Sequence, residues 1–357
     1  MDGASNTPHT PHTPRTVFVT GGSGFLGINL IRALLDRHVA VVSFDIAPFD
    51  YPEAARVRAI AGDIRDRRAL DDAMRGCDAV VHAAAALPSY PDAEILSIEV
   101  DGTRHVLEAA RHHGIQRVVH ISSTAIYGTR AQGVAEDGAL ELIGAYGEAK
   151  VLAERECERV RQLGMCVPIL RPKTFVGPER LGIWAILYDW AYSGCGFPLI
   201  GGGANRYQLL DVADLCDVIW TTLTGPHEEV NDTFNVGAKQ FGTMREDFQA
   251  VLDRAGHGRR VRTLPAGPVI AVLKLLRRLK LSPVYEWVYE TAAADSWVSI
   301  EKVERVLGFA PRYSNRDALV RNYDWYVAQR PQAIQASGVS HRAAWNQGVI
   351  RFGKLFF

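Results

Sequence analysis

The sequence predicts an α/β protein in which a doubly wound parallel sheet carries a smaller, mostly C-terminal lobe. From Thr16 onward, short runs rich in β-branched residues alternate with longer runs of helical periodicity. A glycine-rich turn joins the first of these strands to the first helix. Strict alternation of strand and helix is typical of βαβ units, whose strands lie parallel in one sheet.

The predicted elements follow one another in a regular order. The first strand is TVFVT, Thr16–Thr20, and FLGINLIRALLDRH is the helix after it. Next come the strands AVVSFDI and DAVVHAAA, the helix TRHVLEAARHHG and the strand QRVVHISS. A long helix around YGEAKVLAERECERVRQLG and the strand CVPILRP complete the alternation. No apolar run in the sequence reaches the ~18 residues that a membrane-spanning helix needs.

Composition and charge narrow the class of protein. The chain has 357 residues, of which 47% are hydrophobic, and 40 basic residues balance 40 acidic ones. A chain without net charge does not attract a polyanion, which argues against nucleic acid as a partner. The cysteines form no CxxC pair and no export signal begins the chain, so we expect free thiols in a reducing cytoplasm.

The turn after the first strand contains Gly21, Gly24 and Gly27. Glycines at this point permit a tight turn and let the backbone approach a pyrophosphate at the N-terminus of the following helix. The spacing GxxGxxG differs from GxGxxG, but its place between a strand and a helix favours the same function. The turn therefore predicts a dinucleotide site in a Rossmann-like domain.

Asp45 ends the second predicted strand, VVSFD. A carboxylate at this position can accept hydrogen bonds from both ribose hydroxyls and repel a 2′-phosphate, which favours NAD over NADP. The alternative is an ordinary surface aspartate that ends a strand.

Further motifs follow in order along the chain. They are TGGSGFLG at 20–27, GDIRD at 62–66, HAAA at 82–85, ISSTAIYG at 121–128, YGEAK at 146–150, RPKTFVGP at 171–178 and the later VSIEKVERVLGFAPRYS. With these motifs the chain resembles the extended short-chain dehydrogenases/reductases, the NAD-dependent epimerase/dehydratase group, from about residue 15 to 330. The resemblance also implies a homodimer formed through two helices of the cofactor domain.

The resemblance implies where the cofactor contacts lie. Asp63 and Ile64 would frame the adenine, the segment His82–Ala85 would pass beneath the pyrophosphate and ribose, and Lys150 would hold the nicotinamide ribose. The full set of expected NAD contacts is Gly21, Gly24, Phe25, Leu26, Gly27, Asp45, Asp63, Ile64, Ala83, Ala84, Ala85 and Lys150.

Tyr146 and Lys150 carry the expected chemistry. They lie four residues apart on a predicted helix, so their side chains share one face. An ammonium and a nicotinium ring near a phenol both favour the phenolate, and Tyr146 could then take the proton from a substrate hydroxyl. Ser123, at the end of VVHISS, matches the family's hydroxyl that bridges the same oxygen. The alternatives are a solvated helix pair and a serine that only satisfies backbone groups.

The residues after Ser123 distinguish between reactions. Members that dehydrate sugars carry an Asp-Glu pair there, which supplies an acid and a base. Here the positions are Thr124 and Ala125, so dehydration is disfavoured. Oxidation or reduction at a carbinol, and epimerisation by oxidation followed by return of hydride to the other face, both remain open.

Arg206 and Thr174, together with Thr124, are the candidates for substrate binding. Arg206 precedes a family-like V-x-D-L stretch, and a guanidinium suits bidentate contact with a diphosphate. It is displaced by one position from the arginine of the UDP-galactose 4-epimerases, and Thr174 replaces an asparagine of those enzymes. We therefore expect a nucleoside-diphosphate sugar and keep two alternatives: an apolar alcohol, as in 3β-hydroxysteroid dehydrogenases, and a non-catalytic NAD-binding regulator.

These motifs give an expected domain organisation. Residues 1–14 form a disordered tail of Thr, Pro and His, in which we expect no metal site. The remaining parts are the NAD-binding domain at 15–175, continued by about 207–237, the substrate-binding lobe at 176–206 and 238–330, and a C-terminal extension at 331–357.

Two segments could contact a membrane surface. Val269–Tyr289 sets basic residues among leucines, and the chain ends AAWNQGVIRFGKLFF. A basic amphipathic helix with an aromatic tail can lie at a membrane interface. The alternative is a helix of the lobe that packs over the cleft with its basic residues solvated.

Overall fold

A seven-stranded parallel sheet organises the protein in the computed structural model, which describes residues 13–129, 131–278, 294–333 and 354. Its strand order is β11-β7-β5-β4-β1-β2-β3. The strands are β1 (Thr16–Thr20), β2 (Ala40–Asp45), β3 (Arg58–Ala61), β4 (Ala79–His82), β5 (Val118–Ile121), β7 (Ile169–Pro172) and β11 (Thr233–Val236). β1 pairs with β2 on one side and β4 on the other, so the strand order reverses at β1. Ligands of such sheets bind at the carboxyl ends of the strands beside this reversal.

Helices cover both faces of the sheet, as a doubly wound fold requires. On one face lie α1 (Phe25–Asp36), α7 (Val212–Thr224) and α11 (Glu301–Leu307). On the other face lie α2 (Arg67–Met74), α4 (Thr103–His112) and α5 (Gly144–Arg161). Because both faces are covered, β1 reads as a continuous apolar run, and Val17, Phe18 and Val19 are fully buried. The predicted doubly wound α/β fold is confirmed.

The helix before α4 contains an irregularity. α3 (Asp92–Leu96) continues into a π-helical segment, Ser97–Gly102, and then directly into α4. Few α-helices contain a π-helical turn, and those turns that do occur are often located at functional sites.

A smaller lobe has its own apolar core. It contains α6 (Trp184–Tyr192), α9 (Met244–Ala255), α10 (Ala266–Arg278) and α12 (Asn315–Ala333), with the strands β9 (Phe197–Ile200) and β12 (Val261–Leu264). Two short strands, β8 (Phe175–Val176) and β10 (Leu210–Asp211), pair with each other where the chain passes between the two parts, and the short helix α8 (His227–Val230) lies between α7 and β11. The strands β6 (Gln132–Val134) and β13 (Trp297–Val298) also pair.

A buried ion pair ties the sheet to α5 near the site. Arg171 of β7 donates to both carboxylate oxygens of Glu154 on α5, through Nε at 2.9 Å and Nη2 at 2.6 Å. Ser122, which follows β5, donates to the same carboxylate. Arg171 also donates to the Tyr127 hydroxyl, which in turn donates to Asn235 of β11. These contacts fix the middle of α5 relative to the ends of three strands.

Several sequence predictions fall on residues that the structure does not describe. These are the tail apart from residues 13 and 14, the second half of the Val269–Tyr289 segment, and the C-terminal extension apart from the end of α12 and Lys354. Within the described residues, no helix has the length and apolarity to cross a bilayer. The five cysteines are free thiols, as expected.

Candidate active site

The glycine turn packs so closely that side chains cannot enter it. Gly21 has a φ of 70°, and a Cβ there would lie 2.7 Å from the Ala84 nitrogen. A Cβ on Gly27 would lie 2.2 Å from the Gly21 oxygen. Gly24 is the N-cap of α1, and no side chain caps this helix. Phe25 and Leu26, the first residues of α1, therefore present backbone N–H groups at a helix N-terminus that can bind an anion.

Asp45 stands beside this turn at the carboxyl end of β2. One of its carboxylate oxygens accepts from the Ser23 nitrogen at 3.0 Å, and the other accepts from the Ala47 nitrogen at 2.9 Å. The two hydrogen bonds fix the carboxylate where the ribose of a dinucleotide on α1 would lie.

Asp63 and Ile64 follow β3 at the same edge of the site. Arg65 donates to the Asp63 carboxylate, and this hydrogen bond holds the pKa of Asp63 below its ordinary value. Ile64 is buried, and its side chain occupies the space where a Cβ of Gly102 would lie. Asp63 is thus already bound by a neighbouring guanidinium, while Ile64 supplies an apolar wall.

His82 orders the end of β4. The Thr20 hydroxyl accepts from the nitrogens of Ala83 and Ala84, so its proton goes to Nδ1 of His82, 2.7 Å away. The hydrogen-bond network therefore assigns the ring proton to Nε2, which donates to the Thr103 hydroxyl at 3.0 Å. Burial and the charge of Lys150 lower the pKa of His82 to about 3, so the ring is neutral. Ala85, the last of this segment, is exposed.

The structure brings Ser123, Tyr146 and Lys150 together. The Lys150 ammonium lies 5.7 Å from the ring centroid of Tyr146, and the Ser123 side chain forms a hydrogen bond with the Tyr146 hydroxyl. Burial raises the pKa of Tyr146, Lys150 lowers it, Glu99 raises it and Ser123 lowers it, with a raised pKa as the net result. Lys150 thus acts in the expected direction, but the burial of the phenol outweighs it.

Sequence reasoning missed Glu99, which lies in the π-helical segment. Its carboxylate is buried, accepts from the Ala86 nitrogen at 2.8 Å and forms an ion pair with Lys150 at 2.9 Å. Lys150 also donates to the Ile121 carbonyl at 3.2 Å. An ammonium has three donors, so two are taken by the protein and one is left for a ribose hydroxyl. The only sequence signal was an acidic residue between Ile98 and Val100.

The substrate candidates occupy two different places. The buried Thr124 hydroxyl donates to the Pro172 carbonyl at 3.3 Å, and the Thr174 hydroxyl lies 2.9 Å from the hydroxyl of Tyr207. The Arg206 guanidinium lies over the rings of Phe241 and Trp297, at 4.7 and 5.7 Å from their centroids. The residue that reaches Thr174 is thus Tyr207 rather than its neighbour Arg206, because successive side chains of extended backbone point to opposite sides.

These features together fit an NAD-binding site. A glycine cradle without Cβ atoms meets an uncapped helix N-terminus, and a fixed carboxylate follows the adjacent strand. The sequence model of the NAD dependent epimerase/dehydratase family matches residues 17–237. The chain belongs to this family. As a member of the NAD-dependent epimerase/dehydratase family it is an extended short-chain dehydrogenase/reductase enzyme that uses NAD, and the predictions of family and cofactor are confirmed.

Two relatives match most of the length of this chain. The protein y4nG of Sinorhizobium fredii is 33% identical over 340 residues, which cover 94% of this chain and 84% of that protein. The 3 beta-hydroxysteroid dehydrogenase/Delta 5-->4-isomerase of Mycobacterium tuberculosis is 28% identical over 338 residues, 87% of this chain and 90% of that enzyme.

Solved structures of the family have the same fold. The dTDP-glucose 4,6-dehydratase DesIV of Streptomyces venezuelae, with NAD bound, has a TM-score of 0.71 at 26% identity and covers 89% of this chain and 98% of its own. The UDP-glucose 4-epimerase of Thermotoga maritima, with UDP-glucose, has a TM-score of 0.72 at 20% identity, with 88% and 99% covered.

Proposed function

We propose that the protein transfers hydride between NAD and a carbinol carbon of a nucleoside-diphosphate sugar, with 4-epimerisation as the first candidate outcome. The observation that carries this proposal is the grouping of Ser123, Tyr146 and Lys150 beside a dinucleotide cradle, without an acid and base pair at Thr124 and Ala125.

The proposed roles follow from the contacts. Bound NAD supplies the hydride acceptor. Tyr146 takes the proton of the substrate hydroxyl, and Ser123, whose side chain forms a hydrogen bond with the Tyr146 hydroxyl, contacts the same substrate oxygen. The Lys150 charge favours the phenolate, and its free donor holds the ribose. In epimerisation, Tyr146 returns the proton after hydride has come back to the opposite face of the same carbon.

A nucleotide-linked sugar is the preferred substrate class. Arg206 is exposed at the edge of the lobe, where its guanidinium could contact a diphosphate. The rings of Phe241 and Trp297 beneath the guanidinium limit its freedom, which lowers the entropic cost of such a contact. The UDP-glucose in the Thermotoga maritima epimerase adds support by analogy of fold.

The second candidate is an apolar secondary alcohol such as a 3β-hydroxysteroid. It is favoured by the apolar residues that precede α5 on the loop to Tyr146, since Leu140, Leu142 and Ile143 are 45–47% exposed. Thr174 contacts the hydroxyl of Tyr207 rather than a charged group, which also suits an apolar ligand, and the Mycobacterium tuberculosis relative is consistent with it. A non-catalytic regulator is disfavoured because it has no need of the Tyr146 arrangement.

Turnover with NAD and a panel of UDP-sugars and sterols distinguishes these functions. We expect an isomerised sugar without net NADH. Net NADH with a sugar would indicate a dehydrogenase, and NADH with sterols alone would favour the second candidate. Substituting Arg206→Ala should raise KM for a nucleotide sugar about tenfold or more at preserved kcat, because the contact is equal in ground and transition states. An unchanged KM would refute the diphosphate role of Arg206.

The oligomeric state, the domain bounds and the location of the protein are also open to proposal and test. We propose that the protein is a cytoplasmic homodimer. We also propose that its cofactor-binding domain comprises residues 15–175 and 207–237, and its substrate-binding lobe residues 176–206 and 238–330. Light scattering measures the mass of the particle in solution and so tests whether it is a dimer. The exposed Val272 and Leu275 of α10 support a peripheral membrane contact, which cosedimentation with anionic vesicles tests.

A further inference from the structure

Lys173 lies at the carboxyl end of β7, next to the candidate active site. Its backbone nitrogen donates to the Val236 carbonyl at 2.8 Å, which continues the pairing of β7 with β11. The preceding carbonyl, of Pro172, accepts from the Thr124 hydroxyl, and Thr124 follows Ser123. The lysine is thus placed at the strand ends where ligands of this fold bind.

The side chain of Lys173 is only 5% exposed. Its ammonium donates to the Ser296 hydroxyl at 2.8 Å and lies 4.7 Å from the ring centroid of Tyr207. Tyr207, which precedes β10, is the titratable group in contact with the ammonium, and Ser296 faces it from the segment before β13. In the part of the chain that the structure describes, no carboxylate forms an ion pair with Lys173.

Two other buried cations near Lys173 each have a carboxylate partner. Lys150 is paired with Glu99, and Arg171 is paired with Glu154. A buried ammonium without a negative partner is costly, so the group loses its proton more readily. Burial accordingly lowers the pKa of Lys173 to about 7. The protein therefore holds an amine with a lowered pKa in a fixed position at the carboxyl end of β7.

We infer that Lys173 is the recognition point for an anionic group of the substrate, either a carboxylate on the sugar or a phosphoryl oxygen. The inference rests on the proposed function, because it places this substrate beside Ser123 and Tyr146. Ser296 takes one of the three ammonium donors and the ring of Tyr207 lies over Nζ, so donor capacity is left for an anion. The anion supplies the negative charge that no described residue provides.

This role couples substrate binding to proton uptake. An anion next to the amine raises its pKa, so above about pH 7 the free enzyme must take up a proton as it binds. The affinity for an anion-bearing substrate should therefore be highest below pH 7 and fall as the pH rises. The fall should end above the raised pKa that Lys173 has in the complex, where the amine is deprotonated in both states. A substrate held without Lys173 lacks this dependence.

Calorimetry on the NAD-loaded protein tests the proposal with three probes: UDP, UDP-glucose and UDP-glucuronate. Each is titrated at several pH values into the wild type, Lys173→Met and Lys173→Arg. We expect Lys173→Met to weaken binding about tenfold or more and to abolish proton uptake, and Lys173→Arg to retain affinity without the pH dependence. A loss confined to UDP-glucuronate identifies a carboxylate site, and an equal loss for all three identifies a phosphoryl site. No loss with any probe that the wild type binds overturns the proposal.

A second measurement works without a nucleotide. Lysines are few in this chain, which makes their Cε signals separable by NMR; they are Lys150, Lys173, Lys239, Lys274, Lys280, Lys302 and Lys354. The signal missing in Lys173→Arg should titrate near pH 7 and move to higher pH when acetate or inorganic phosphate is added. If no UDP compound binds but the anion moves this titration, the nucleotide-sugar function fails and the anion site stands. If neither measurement responds, the anion site is refuted.

Discussion

The Glu99 carboxylate and the Lys150 ammonium lie 2.9 Å apart, and each residue is only 2% exposed. The charge that is expected to activate Tyr146 is therefore balanced before any ligand arrives. Lys150 and Glu99 act on the phenol in opposite directions, so the pKa of Tyr146 depends on both. We regard Glu99 as a positioning residue that directs the ammonium and moderates its effect.

Replacing Glu99 with glutamine should move the pH dependence of catalysis. The substitution keeps the shape and removes the negative charge that raises the pKa of Tyr146, so the phenolate forms at lower pH. In the oxidative direction, where Tyr146 must be deprotonated, the acidic limb of the kcat profile should shift down by roughly 0.5 to 1 pH unit. Steady-state rates across the pH range measure it.

The matched control is Glu99→Asp, which keeps the charge. It should leave the midpoint of the acidic limb close to that of the wild type, even if shorter reach lowers kcat. A purely structural role for Glu99 would instead reduce the thermal stability of both variants and leave the two pH profiles alike.

Substituting Tyr146→Phe tests the acid and base role directly. The ring remains and the reacting oxygen is lost, so we expect kcat to fall by roughly 10² to 10⁴ with little change in NAD affinity. Tyr127→Phe is the control, because its hydroxyl contacts Arg171 and Asn235 rather than the reacting group. That variant should lose stability more than rate. If Tyr146→Phe instead impaired NAD binding, the role of Tyr146 would be structural rather than catalytic.

The glycine turn offers a matched pair of substitutions. A Cβ on Gly27 meets the Gly21 oxygen at 2.2 Å, whereas a Cβ on Gly24 approaches the same oxygen only to 3.1 Å. Gly27→Ala should therefore displace the turn and weaken NAD binding by at least about tenfold, a loss of ~1.4 kcal/mol. Gly24→Ala should cost markedly less. Fluorescence titration with NADH compares them, and equal effects would contradict the close packing.

Asp45 should set the preference between cofactors. We expect the wild type to bind NAD in strong preference to NADP, because the carboxylate would face the extra phosphate. Asp45→Ala should weaken NAD binding about tenfold and reduce the discrimination against NADP. Calorimetry with both cofactors measures the ratio. If the ratio of the NAD and NADP affinities were unchanged in the variant, Asp45 would not be the source of the cofactor preference.

Lys173→Met should stabilise the protein at neutral pH. The unfolded lysine binds a proton up to its ordinary pKa, while the folded one releases it near pH 7, so wild-type stability rises between pH 7 and 10. Methionine removes this penalty, and we expect a gain of about 1–3 kcal/mol at pH 7 that shrinks towards pH 10. Thermal unfolding measures it. Lys239→Met is the control and should change little, because the Lys239 side chain is 64% exposed in its ion pair with Glu304.

The parallel sheet and the glycine turn could be predicted because their signals are local. The apolar runs of β1 and β5 and the turn at Gly21 can be read from a few adjacent residues. Glu99 could not, because its position depends on a π-helical turn that shifts the helical register. Lys173 was missed for a different reason. Nothing in the sequence indicates that the carboxylates nearby are already committed to Lys150 and Arg171.

The pairing of β11 with β7 has a consequence for synthesis. Thr233 lies opposite Ile169, yet the ribosome makes the whole excursion through β8, α6, β9, β10, α7 and α8 between them. Until β11 emerges, the nascent chain presents the outer backbone groups of β7 without a partner, and such an edge is a template for other strands. Translation thus creates an interval in which aggregation competes with closure of the sheet. A truncated chain that ends before β11 would remain in that state permanently.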